Sequence, residues 1–352
     1  MYFTHFGLRQ APFSITPDPA FFYGGNTRGD MLAALLYAVA QGEGIVKVTG
    51  EVGSGKTMLC RMLERRLPAH VDVLWLVNPS LAPAEVPYAI AAELGLDASG
   101  RRGDQVLRQL NDELIARHAA GRQVLVLIEE AQAMPLDTLE AVRLLTNLET
   151  AQHKLLQIVL FGQPELDAHL ALPRMRQLAE RITHSFFVPA LPPGQVGAFL
   201  AFRLRAAGHH DGTLFTVAAT RRIAWASRGI IRRINILADK ALLAAYADDA
   251  AAVKERHVRL AERECSFAGT QGAARTTAWM AARLVGQIRG RITGRTTGRF
   301  SAPHPTRRLA AATLGVVVVA TIMAWSLWWA WPMLTALLGE HGARAFAHPS
   351  DL

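Results

Sequence analysis

Five short apolar runs punctuate the first 191 residues: "GIVKVTG" (44–50), "VDVLWLV" (71–77), "QVLVLIEE" (123–130), "LLQIVLFG" (155–162) and "HSFFVPAL" (184–191). They are continuous rather than alternating, which is the pattern of strands covered on both faces. Between them lie stretches with apolar residues at helical spacing, such as "TRGDMLAALLYAVAQ", "DQVLRQLNDELIARHAA" and "LDTLEAVRLLTNLE". Strands and helices in alternation predict an α/β domain on a parallel five-stranded sheet over residues 1–191. After Pro192-Pro193 the strand signal stops. "GQVGAFLAFRLRAAG", "TLFTVAATRRIAWA", "IIRRINILADKALLAAYA" and "AVKERHVRLAERE" carry helical patterns only, so residues 192–265 are expected to form a small all-helical domain.

A different pattern follows. Residues 309–331, "LAAATLGVVVVATIMAWSLWWAW", contain no charge over 23 positions, enough for a helix of about 34 Å against a hydrocarbon core of about 30 Å. Trp325, Trp328, Trp329 and Trp331 gather at its far end, as an aromatic belt would. This segment predicts one transmembrane helix. The preceding residues 266–308 hold eight arginines with neither lysine nor acid. By the positive-inside rule they place the large amino-terminal head in the cytoplasm and residues 332–352 outside, as a short extracytoplasmic tail.

The arginines also change the meaning of the overall charge. The chain of 352 residues has a formal net charge of +9, but most of it lies in this one linker, and the rest is close to neutral. Beside a membrane span such a run is suited to anionic lipid headgroups, and nucleic acid is not the expected partner. Two distant cysteines, Cys60 and Cys265, indicate a reducing compartment and no disulfide framework. The opening "MYFTHFGLRQAPFSITPDP" lacks the basic and apolar regions of a signal peptide. His209-His210-Asp211 falls between two helical patterns, with no further ligand nearby, and reads as a solvated turn.

The chemistry is carried by Gly50-Glu51-Val52-Gly53-Ser54-Gly55-Lys56-Thr57, a G-x-x-x-x-G-K-[ST] loop that follows a strand and opens a helix. Its glycines let backbone N–H groups close around phosphates at a helix N-terminus. Lys56 is then placed for the β- and γ-phosphates of ATP, and Thr57 for Mg²⁺. "VLVLIEEAQ" supplies a later apolar strand ending in acids. By position Glu129 serves the magnesium ion and Glu130 polarises the attacking water. Glu129 is one methylene longer than the aspartate usual at such a place.

"FGLRQAPFSITPDPAFFY", "GEVGSGKT", "IEEAQ", "LLTNLET", "KLLQIVLFGQPEL", "RMRQLAERI" and "RRINILADKALLAAY" occur in one order. Together, over about residues 1–265, they resemble the AAA+ ATPases of the ExeA/GspA (general secretion pathway protein A) type, which include MSHA-pilus and exopolysaccharide-associated ATPases. The resemblance implies an AAA+ P-loop domain with a helical lid. It also implies an ATPase of the bacterial inner membrane that assists secretin or pilus assembly, as a homo-oligomer with an inner-membrane partner. It lays a sensor role on Gln163 and a second-sensor role on Arg232, which follows Ile231 where the family has proline. It makes Arg176 and Arg181 alternatives for an arginine given to a neighbouring subunit, and places Pro17 and Asp18 in the segment leading into the nucleotide pocket. Many members continue into a peptidoglycan-binding domain; here wall contact is expected to come from a partner. The sequence is also compatible with two alternatives, a DNA-transposition-type helper ATPase and an ATP-bound scaffold with negligible turnover.

Overall fold

The computed structural model describes residues 2–42, 44–210 and 213–265. The linker, the apolar span and the tail expected from the sequence all lie outside the described residues. Among the described residues no helix is long and apolar enough to cross a membrane.

The five apolar runs are the strands β1 (Ile45–Gly50), β2 (Val71–Leu76), β3 (Gln123–Ile128), β4 (Leu156–Gly162) and β5 (Ile182–Val188). They form one sheet in the order β2-β3-β4-β1-β5, with every neighbouring pair parallel. The continuous apolar runs are explained by this order: β3 and β4 sit between neighbours and are buried on both faces. β5, at the edge, alternates exposed and part-buried positions until Val188. Helix α1 (Arg28–Gln41) precedes β1, and α2 (Lys56–Arg66), α3 (Val86–Glu93), α4 (Gly103–Ala119), α5 (Leu136–Leu145), α6 (Pro164–Leu170) and α7 (Arg176–Glu180) lie between successive strands. Two apolar clusters, one on each face of the sheet, hold these layers together.

Polar residues in this interior have defined tasks. Gln123 Nε2 donates to the Val39 carbonyl (2.8 Å) and to Gln157 Oε1 (3.0 Å), and Gln157 Nε2 donates to the Ala38 carbonyl (3.0 Å). This network ties the end of α1 to the amino ends of β3 and β4. Lys47, on β1 between β4 and β5, pairs with Asp167 of α6. Asp72 of β2 accepts from Arg117 at the end of α4 (2.7 Å) and from Arg122 just before β3.

The hydrogen bond from Arg122, then that from Arg117, outweighs burial and holds the Asp72 carboxyl at about 2. A carboxylate depressed in the folded state contributes stability that is present above its unfolded value of about 3.9 and lost as pH falls toward the folded value. The urea midpoint of the wild type should therefore fall faster than that of Asp72→Asn as pH drops from about 4 to about 2. Parallel midpoint-versus-pH curves would show that the pair does not contribute this stability.

The helical layer consists of α8 (Val196–Ala206), α9 (Val217–Ser227), α10 (Ile231–Ala247) and α11 (Glu255–Glu264). Its apolar core includes an unexpected contributor. Tyr2, Phe6, Leu8, Phe13 and Phe21 pack among these helices, although the sequence reading groups them with the α/β part. The segment is stapled along its length. Tyr2 donates to Asp239 (2.5 Å), Arg9 N to the Ala207 carbonyl (2.8 Å), and Arg203 to the carbonyls of Pro12 (2.5 Å) and Ser14 (3.2 Å). His209 is one of these staples: it is buried, and its Nδ1 donates to the Phe6 carbonyl at 2.7 Å. It is thus a packed latch for the amino-terminal strap, in place of the solvated turn expected from its neighbours. α5 is shorter than its pattern suggested, because the chain turns after Leu145 into a loop closed by the bridge Glu149–Lys154.

Candidate nucleotide site

The ends of β1, β3 and β4 lie side by side, with Thr49 in register with Gly162 and Ile128 with Leu160. Because β4 separates β1 from β3, the residue after β4 stands between the loop after β1 and the acids after β3. These carboxyl ends form one edge of a parallel sheet, where such folds place ligands.

The loop after β1 turns into α2 at Lys56, with Gly55 at φ +103° as its N-cap. Unpaired N–H groups at this helix start give the positive end of the helix dipole. Lys56 is buried, and its Nζ donates to the carbonyls of Gly50 (2.8 Å) and Glu51 (3.0 Å). Burial pushes the Lys56 ammonium below its ordinary range, against the attraction of Glu130, Glu51, Glu129 and Glu165. Ser54 is buried within the loop, while Glu51 and Val52 face outward. Gly53, at φ +78°, permits a contact that no other residue would: a Cβ there would lie 2.6 Å from Cβ of Arg232. Its carbonyl accepts the backbone N–H of Arg232 at 3.0 Å. That N–H belongs to the first turn of α10 and has no partner within the helix. The phosphate loop therefore caps the lid helix, and α10 starts at Ile231 without the family's proline.

After β3 the chain places Glu129 against α2 and then turns sharply at Glu130, which adopts the left-handed conformation (φ 52°, ψ 37°). Such a conformation costs a non-glycine residue about 1–2 kcal/mol and clusters at functional sites. Burial raises the Glu129 carboxyl above its ordinary range, and the nearby Glu130 adds to this. A hydrogen bond with the Thr57 hydroxyl and the charges of Arg61 and Lys56 oppose the shift. Glu130 goes the other way. Burial works against its ionisation, but hydrogen bonds from the Gln163 and Gln132 amides and the charge of Lys56 outweigh it. Thr57 and Glu129 thus form a pair of hard oxygen donors beside the phosphate loop, a set that fits Mg²⁺.

Pro17, Gly53, Lys56, Glu130, Gln163 and Arg232 all line one cleft of about 470 Å³ between the sheet edge, the strap and the lid. Asp18, next to Pro17, caps a short 3-10 turn by accepting from Ala20 N at 2.9 Å. Arg176 and Arg181 are elsewhere. Arg176 is exposed on α7 and paired with Glu180 at 2.8 Å. Arg181 precedes β5, and its carbonyl accepts from Ile45 N at the opposite end of β1 from the phosphate loop. It is about 20 Å from the loop of its own chain by strand length. Its guanidinium donates to neutral partners, Asn147 Oδ1 (2.8 Å) and Thr146 Oγ1 (3.4 Å).

Arg28 and Arg203 line the cleft and Gln132 stands beside it, and none of the three was assigned a role from the sequence. Gln132 touches both Glu130 and Gln163. Arg28 of α1 is buried behind the loop and donates to the carbonyls of Ser54 (3.2 Å) and Pro189 (3.0 Å); burial lowers its guanidinium to about 10. Arg203 of α8 lies 4.5 Å over the Phe21 ring and is likewise lowered by burial to about 10, with Asp18 opposing.

Comparison with known proteins agrees with this geometry. The family model described as an AAA domain matches residues 39–170, from α1 to the end of α6. General secretion pathway protein A of Aeromonas hydrophila is 41% identical over 273 residues, which is 77% of this chain and 50% of that protein. The chain belongs to the AAA+ proteins of the general secretion pathway protein A type. It spans about half the length of that relative. The family is one of P-loop ATPases, so its members bind nucleotide and, in general, hydrolyse ATP. A DNA transposition protein B of a Mu-like prophage of Haemophilus influenzae is 33% identical over 104 residues, 29% of this chain and 33% of that protein. Among solved structures, Cdc6p of Pyrobaculum aerophilum shares the fold (TM-score 0.56, 17% identity, 72% of each chain). So does the ORC2 protein of Aeropyrum pernix (TM-score 0.55, 18% identity, 72% of this chain and 71% of that one).

Proposed function

We propose that this AAA+ protein binds ATP with Mg²⁺ in the cleft beneath its lid, hydrolyses it to ADP and phosphate, and uses the cycle to assist assembly of a secretion or pilus-type envelope machine. The observation that carries the reading is the meeting of Lys56, Thr57, Glu129, Glu130 and Gln163 at one sheet edge. Lys56 and the loop N–H groups hold the phosphates. Thr57 and Glu129 hold the metal ion, which when bound neutralises charge on the phosphate oxygens. Glu130 orients a water molecule and takes its proton as the water oxygen bonds to the γ-phosphorus and the bond to the β-phosphate oxygen breaks. Gln163 and Arg232 reach the γ-phosphate from the sheet and the lid. Release of phosphate from ATP by the full-length chain, measured in a single turnover, tests this; absence of release with ATP bound would favour a static scaffold.

A second copy of the chain is needed for the remaining arginine. Arg181 is the better of the two candidates, because its hydrogen bonds go to the neutral acceptors Asn147 and Thr146 and its charge is only felt by Glu149 without an ion pair, whereas Arg176 is paired directly with Glu180. Residues 309–331 are proposed to anchor the head to the inner membrane, with the arginines of 266–308 on anionic headgroups and an inner-membrane protein as partner. A reporter active only in the periplasm, fused after Leu352, should then be active, and an inactive fusion would remove either the span or its orientation. The similarity to a transposition protein supports a DNA-linked reading over far less of the chain than the secretion relative does.

A further inference from the structure

We infer that Gln132 is a positioning residue for hydrolysis, holding the Glu130 carboxylate and the Gln163 backbone in one fixed arrangement. The inference rests on the ATPase reading above and concerns a residue that this reading does not use. Gln132 Nε2 donates to Glu130 Oε2 at 2.6 Å, and Gln163 Nε2 donates to the same oxygen at 2.9 Å. The other end of the Gln132 amide, Oε1, accepts the backbone N–H of Gln163 at 2.9 Å. The orientation of the amide follows from its partners. A backbone N–H can only donate and an ionised carboxylate can only accept, so the oxygen must face Gln163 and the nitrogen must face Glu130.

The local backbone makes this reach available. The left-handed turn at Glu130 and the 3-10 turn Ala131–Ala133 bring the side chains of residues 130 and 132 together, just past the end of β3. Gln163 comes from the end of the neighbouring strand, and its N–H is at the start of α6. Gln132 thus ties the tips of β3 and β4 to each other through the group proposed to take the proton. Both amides fall on Oε2, so the second carboxylate oxygen receives neither of them. That oxygen is left for the water, and the pivot that aims it is Gln132. Gln163 cannot set the aim alone, because its side chain is also the one proposed to respond to the γ-phosphate; Gln132 meets only protein groups in this network.

Gln132→Met keeps the length of the side chain and removes both hydrogen bonds. In the full-length protein its kcat for ATP should fall about 10- to 100-fold, the scale on which misplacing a catalytic group acts, while its Kd for ATP stays close to that of the wild type. The loss should vanish on a Glu130→Gln background, because a residue that acts only through Glu130 has nothing left to position. An unchanged kcat in Gln132→Met, a loss confined to ATP affinity, or an equal further loss on the Glu130→Gln background would each overturn the role. If the wild type itself turns over no ATP, the ATPase reading falls and the positioning role with it. If the wild type hydrolyses ATP and Glu130→Gln does not, while Gln132→Met is unaffected, only the positioning role falls.

Discussion

Glutamine in place of Glu130 should lower ATP turnover by about 10²- to 10⁴-fold, the range over which a general base contributes, and should leave ATP bound. The phosphates are held by Lys56 and by N–H groups at the start of α2, none of which the substitution touches. An amide of the same shape keeps the left-handed turn and removes one negative charge facing Lys56 and the triphosphate, so ATP affinity should be equal or higher. Glu129→Asp makes a useful contrast. Glu129 already reaches the Thr57 hydroxyl despite its extra methylene, so its longer side chain does not disconnect the pair. The aspartate variant is expected to turn over ATP as fast as the wild type or faster, at a lower magnesium requirement. Both are read from single-turnover hydrolysis with a magnesium titration. Undiminished hydrolysis in Glu130→Gln would remove this residue from the chemistry, and a tenfold loss in Glu129→Asp would show that the glutamate is the better fit.

Gly229→Ala should be among the most damaging single changes in the lid, costing about 3–5 kcal/mol, a range reserved for backbone and packing conflicts with no escape. Gly229 lies in the turn between α9 and α10 at φ +74°, and a Cβ there would lie 2.0 Å from the Leu191 carbonyl oxygen and 3.0 Å from Leu191 N. Neither neighbour is a side chain that could rotate away. The turn must move off the linker, breaking the hydrogen bond from Leu191 N to the Gly229 carbonyl (2.9 Å). Since α10 also caps onto Gly53, displacement of the turn reaches the phosphate loop. ATP affinity should therefore fall along with the denaturant midpoint. Gly194→Ala, where a Cβ meets nothing within 4 Å, is the control and should stay within about 0.5 kcal/mol of wild type. Equal midpoints for the two variants would refute the close approach at Leu191.

Much of the fold was legible because it follows from local rules. Strands covered on both faces must be apolar throughout, and β3 and β4 read that way. A phosphate loop needs glycine at positive φ, as at Gly53 and Gly55, and a helix directly after it, which fixes its spelling. The strap was illegible for the opposite reason. Tyr2, Phe6, Phe13 and Phe21 follow neither a period of two nor one of 3.6, because an irregular segment packs against the helices residue by residue. His209 looked like a loop residue and is one, but the strap laid over it makes it buried. Arg203, a charged residue of α8, is buried beneath Phe21 by the same strap.

By itself the sequence determined the five strands, the phosphate loop, and the acids expected at a strand end, since each depends on residues close together in the chain. Only the tertiary structure decided what those acids meet. Gln163 reaches Glu130 from 33 positions away and Gln132 from 31, a convergence set by β4 lying between β1 and β3. Strand order is a property of how whole layers pack, and no local spacing of side chains encodes it.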